Sequence, residues 1–172
     1  GPGNRYVTQA KKEVFGDVGI DLTAGPSEVL IVADESANPA WIAADLLAQA
    51  EHDVLAVPLL VTTSKNLAQE VSREVDYQLL NLETQKIAKQ SLEKNGCIIL
   101  VDSINQAVAF SNQRAPEHLE LHLKNCRAIS GKFKNYGTLF IGSYSAEVLG
   151  DYTSGLNHIL PTGGSARYTG GL

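Results

Sequence analysis

Apolar residues fall into short continuous runs separated by longer stretches where they recur every three or four positions, as buried strands alternating with amphipathic helices would. The run Val29-Leu30-Ile31-Val32-Ala33 is rich in β-branched residues and has no polar interruption, which predicts a strand covered on both faces. Residues 57–62 and 97–101 predict two more strands, 119–123 a shorter one, and 138–142 another. Between them, residues 39–52 begin cleanly as a helix: Asn38 can cap the first amides, and Pro39 has its φ already set. Residues 64–81 and 84–94 read as one broken helix or two consecutive ones, stopped by Asn95-Gly96. Further helices are expected at 104–112, weakly at 126–133, and briefly at 145–149. A short amphipathic helix at 6–15, ended by Gly16-Asp17, looks like an appendage in front.

This alternation predicts an α/β fold, a mostly parallel sheet with helices on both faces. In such sheets ligands gather at the carboxyl ends of the strands. No internal repeat, low-complexity tract or long linker divides the chain, so most of it should be one unit. The tail from Asp151 differs: it holds Gly155, Gly163, Gly164, Gly170 and Gly171 with few apolar residues. Such a segment is either a functional loop or is held by parts of a protein outside this sequence.

Composition sharpens this in three ways. With 172 residues, 44% of them hydrophobic, the chain can build a real core. A net charge of −5, from 14 Lys+Arg against 19 Asp+Glu, offers no basic footprint for nucleic acid, and no apolar run is long enough for a bilayer. Cys97 and Cys126, far apart in apolar contexts, suit neither a zinc ribbon nor a disulfide framework and are expected to be buried reduced thiols, in agreement with a cytoplasmic location. Methionine is absent and the chain opens Gly1-Pro2-Gly3-Asn4, so the expectation is a piece of something longer.

Three constellations carry chemistry. Gln49 and His52 lie three apart near a helix end and can face one ligand, as half of a metal site or as ordinary solvated polarity complementing the helix dipole. Glu117 and His118 sit in a short connection before a strand, placed to act as acid and base or to remain an exposed pair. Asp151 and His158 sit in a polar, glycine-bearing loop, and Asp151 could complete a site with Gln49 and His52. His122 reads as structural. Gly1-Pro2-Gly3 lacks the strand and spacing of a dinucleotide fingerprint, and Ser27 lacks a nucleophile elbow, leaving it a binding candidate.

Together, Gly1-Pro2-Gly3-Asn4, Gly19-Ile20-Asp21, Ala24-Gly25-Pro26-Ser27-Glu28-Val29-Leu30, Gln49-Ala50-Glu51-His52-Asp53, Ala115-Pro116-Glu117-His118-Leu119-Glu120 and Gly150-Asp151-Tyr152, in this order, resemble the histidinol dehydrogenases. The resemblance implies zinc- and NAD-dependent oxidation of L-histidinol to L-histidine by two hydride transfers through an aldehyde. It implies zinc ligands at Gln49, His52 and Asp151, and Glu117 and His118 as the catalytic pair, with the carboxylate activating water and the histidine taking protons. It also implies substrate contacts at Ser27, Gln49, His52, His118, Asp151 and His158, and a cofactor contact at Asn4. The family's enzymes are longer homodimers, so the resemblance implies an incomplete Rossmann-like domain. Residues 1–25 would then end the cofactor lobe, 26–149 form the sheet domain and 150–172 an active-site loop and tail, with N- and C-terminal segments of the parent missing and this piece inactive alone. The alternatives are a non-catalytic α/β binding or structural module that keeps the motifs, and a zinc oxidoreductase for another small amino alcohol.

Overall fold

The computed structural model describes residues 5–152, 155 and 159–170. Strand β1 (Glu28–Ala33) is buried along its whole length and forms the centre of a five-stranded sheet. Around it stand β2 (Val57–Thr62), β3 (Cys97–Leu100), β4 (His118–His122) and β5 (Thr138–Ile141), in the order β3-β2-β1-β4-β5. Every pairing is parallel; Val29 stands opposite Pro58 on one side and His118 on the other.

The helices cover both faces. On one, Val29, Ile31, Ala33 and Leu60 pack against α2 (Pro39–His52) and α3 (Lys65–Leu79) through Ile42, Leu46, Leu67 and Val71. On the other, Leu30, Val32, Val61, Leu119 and Leu121 meet Ala107 and Val108 of α5 (Ile104–Arg114). Each large aliphatic side chain so buried contributes about 1.5–3 kcal/mol. A second layer joins α2 to α4 (Gln85–Asn95) through Leu47, Ala50 and Ala88. The ambiguous 64–94 stretch is thus two helices, each turned so that its apolar stripe reaches α2. The expected caps form: Asn38 Oδ1 accepts the Ala40 N–H at 2.9 Å, and Ser64 Oγ accepts that of Leu67 at 3.2 Å.

Four expectations are corrected. Helix α5 runs two residues further, to Arg114, and β4 begins at His118, so the Glu117-His118 connection is tighter than a loop. Ala115 permits this by taking a left-handed φ of 51° at the helix end, a conformation that costs a non-glycine residue on the order of 1 kcal/mol. The short helix expected at 145–149 lies at Val148–Tyr152 (α7), after α1 (Arg5–Val14) and α6 (Cys126–Ser130) in the chain's set of helices. Cys97 is exposed, because it stands on β3, an edge strand with one side left open, and Cys126, the first residue of Cys126–Ser130, is half-buried. Finally, part of the tail is held by this chain itself: the Gly25 N–H bonds Thr162 Oγ1, and Arg167 Nη1 donates to the Gln113 carbonyl at 2.8 Å.

The open edge carries Cys97, Ile98 and Leu100, with Leu100 53% exposed. An unprotected apolar strand edge is a template for a second chain. The 172-residue chain should therefore sediment as dimers or larger species, and Leu100→Lys should shift it toward monomer. A monomeric parent chain would contradict this.

Candidate functional site

The candidate residues collect at the amino ends of the central strands, opposite the edge where parallel sheets usually bind ligands. Helix α2 runs antiparallel to the strands, so its last turn, with Gln49 and His52, comes down beside the start of β1 and β2, where the Val57 N–H bonds the Ser27 carbonyl at 3.0 Å. At the carboxyl edge, Asp34 Oδ2 accepts the Lys124 N–H at 3.0 Å.

Gln49 and His52 share a turn but not an environment. Gln49 is buried and its Oε1 has no hydrogen-bond partner among the described residues, whereas His52 is exposed. A buried carbonyl oxygen left unpartnered costs about 1–3 kcal/mol, which points to a ligand or cation that completes it. His52 and half-buried Ser27 line one groove of about 770 Å³, bounded by Tyr6 and Lys12 of α1 and by Gly25 and Lys94. That is the size of a small-molecule cleft.

Glu117 and His118 are brought to the same edge by the Ala115 turn. Both are largely buried, and His118 Nδ1 lies 3.9 Å from Glu117 Oε2 and 3.6 Å from Oε1 of Glu147. Glu117 Oε2 also accepts the Glu28 N–H at 3.0 Å, which orients the carboxylate. The strand pairing underneath is close: a Cβ on Gly137 would stand 2.6 Å from the Glu117 carbonyl oxygen, so only glycine fits there. The side chain of Glu28, 2% exposed, is ion-paired with Arg114 and accepts the Gly163 N–H at 3.0 Å, tying the tail to this edge. Burial pushes the Glu28 carboxyl above its ordinary value, against the pull of Arg114 and the hydrogen bonds.

Asp151 lies on α7, four residues after Glu147, but its side chain is outside the described residues, as are Asn4 and His158 altogether. What sequence reasoning missed is the carboxylate company of His118. Glu147 comes from the connection after β5, which doubles back over α2 and is pinned there by Tyr144 against Trp41, ring centroids 5.1 Å apart. Asp45, Glu120 and His122 lie beside it, with ligand atoms all within 4.8 Å of one another. The alternation of His118, Glu120 and His122 along one strand face was the available signal, and reading His122 as merely structural passed over it.

A family model described as histidinol dehydrogenase matches residues 1–172. Over 168 residues the chain is 54% identical to the histidinol dehydrogenase of Aquifex aeolicus (strain VF5) and 53% identical to that of Listeria monocytogenes serotype 4b (strain F2365), covering 98% of this chain and 39% of each relative. It therefore spans about two fifths of their length. The crystal structure of histidinol dehydrogenase from Elizabethkingia anophelis matches with a TM-score of 0.93 and 48% identity, over 100% of this chain and 40% of that one. A propionaldehyde dehydrogenase from Rhodopseudomonas palustris, 11% identical at a TM-score of 0.57 over 95% of this chain and 48% of that one, shares the fold alone. The motif order read from the sequence, the matched fold and the identity over nearly the whole chain agree: the chain belongs to the histidinol dehydrogenase family.

Proposed function

We propose that this chain is the segment of a longer, zinc- and NAD-dependent enzyme that carries its catalytic pair, and that the enzyme oxidises L-histidinol to L-histidine through L-histidinaldehyde, ending histidine biosynthesis. The observation that carries the reading is the pairing of Glu117 with His118 at a sheet edge where a buried glutamine oxygen waits for a partner. By the same likeness the intact enzyme is a cytoplasmic homodimer, residues 1–25 end the cofactor lobe, and Asn4 contacts NAD. Among the described residues, no helix is long and apolar enough to cross a membrane.

The donor set fits zinc. Gln49 offers its unpartnered oxygen, His52 an imidazole and Asp151 a carboxylate, all acceptable zinc ligands, although an amide oxygen is an uncommon one. When bound, zinc supplies Lewis acidity that orients the substrate and polarises its reacting oxygen. By the family likeness NAD is the acceptor, and the oxidation from alcohol to acid requires two hydride transfers.

The rest falls to this chain's own residues. His118 takes the alcohol proton as the first hydride leaves, and the Glu117 and Glu147 carboxylates beside Nδ1 compensate the charge that the ring acquires. Glu117, oriented by the Glu28 N–H, draws a proton from the water that adds to the aldehyde; His118, having passed its first proton to solvent, then acts again as base when the hydrate is oxidised. Ser27, at the groove, and His158, outside the described residues, are the substrate-contacting candidates.

The full-length enzyme carrying this segment should reduce NAD with L-histidinol. The 172-residue chain alone should not, and adding the missing segments should restore activity. Turnover by the isolated chain would refute the division of the site between segments. A full-length protein inert toward histidinol and its analogues would leave a non-catalytic module.

A further inference from the structure

The β4 face turned toward α2 presents His118, Glu120 and His122 in alternation, in register with Val29, Ile31 and Ala33 of β1. Ionisable groups there interrupt an apolar layer and cost several kcal/mol unless they are partnered. Glu120 is fully buried, and its two oxygens have different tasks. Oε1 accepts the backbone N–H of Glu147 at 2.7 Å, while Oε2 lies 3.2 Å from His122 Nε2. Asp45 reaches the cluster from α2, its Oδ2 3.8 Å from the same histidine nitrogen. Burial first, then the negative charges of Glu120 and Glu147, push the Asp45 carboxyl up to about 8, so at neutral pH it holds a proton to donate to Glu120. The cluster therefore keeps an acceptor oxygen fixed in the interior, directly beneath the connection that carries Glu147. The other end of Glu147, its Oε1, stands 3.6 Å from His118 Nδ1.

We propose that Glu120 is a positioning residue for the catalytic histidine: from inside the sheet it holds the Glu147 backbone, and through it the Glu147 carboxylate, against the His118 imidazole. This rests on the reading of His118 as the base. Asp45 and His122 make the arrangement tolerable by giving the buried carboxylate a proton donor and a ring nitrogen. A loop residue tied to the core in this way orients a base more narrowly than one held only by its own connection.

The test uses the full-length enzyme. Glu120→Leu should lower kcat about 10- to 100-fold, with the KM for histidinol little changed. Glu120→Gln keeps a carbonyl oxygen for the Glu147 N–H and should restore kcat to within about threefold. Glu120→Leu combined with Glu147→Gln should be no worse than Glu147→Gln alone, because both act through one carboxylate. If the leucine variant does not fold, Glu120→Asp, which withdraws the oxygen by one methylene, should still depress kcat in a folded protein. Unaltered kcat in folded Glu120→Asp, or losses that multiply in the double variant, would overturn the proposal. His118→Asn measured alongside separates the two readings: if it retains more than about a third of parental kcat, the base assignment itself fails.

Discussion

Replacing His118 with asparagine in the full-length enzyme should lower kcat for histidinol oxidation by about 10²–10⁴-fold, the usual worth of a positioned general base. The substitution keeps a planar polar group of similar reach, so the Phe140 ring, 6.1 Å from the imidazole, loses little packing and the protein should remain folded. What disappears is a group able to accept a proton twice in one reaction, with Glu117 and Glu147 placed to compensate the resulting charge. Substrate binding should suffer less than turnover, because a base matters most as the proton moves. A variant retaining more than about a third of parental kcat would remove His118 from the mechanism.

Arg114→Met should be the most damaging single change to stability near the site. It leaves the Glu28 carboxylate, 2% exposed, without its cation, while the methionine preserves much of the apolar stem packing. Breaking a buried pair costs about 3–5 kcal/mol; with Arg114 35% exposed and its charge partly screened, about 2–3 kcal/mol is expected by urea unfolding of the chain. The pH dependence has a definite sign. Burial already raises the Glu28 carboxyl in the folded state, so the folded chain binds its proton more tightly than the unfolded chain, and stability falls as pH rises through that raised value. Losing Arg114 widens this window upward. The gap between variant and parent should therefore shrink as pH is lowered from neutrality toward the ordinary glutamate range, and Glu28→Gln added to Arg114→Met should close most of it. A gap that grows on acidification would show that Glu28 is not the cause. Because Glu28 offers its N–H to Glu117 and its side chain to Gly163, the variant should also loosen the catalytic edge.

The sequence by itself determined the layers. An uninterrupted apolar run such as 29–33 reads as a buried strand, and the capped start at Asn38-Pro39 marks where α2 begins. Adjacent pairs were equally legible, since Gln49 with His52 and Glu117 with His118 are neighbours along the backbone. Tertiary structure alone decided what those pairs face. That α2 descends to the amino ends of the strands, that Gln49 is buried while His52 lines a groove, and that Cys97 is left open all follow from strand order and edge position, which no local pattern encodes. The Asp45, Glu120 and Glu147 carboxylates come together from a helix, a strand and a returning connection, with Glu120 and Glu147 27 residues apart. Local propensity acts over a few residues, whereas such a cluster exists only once packing has closed the chain on itself and removed the water that would have kept those charges apart.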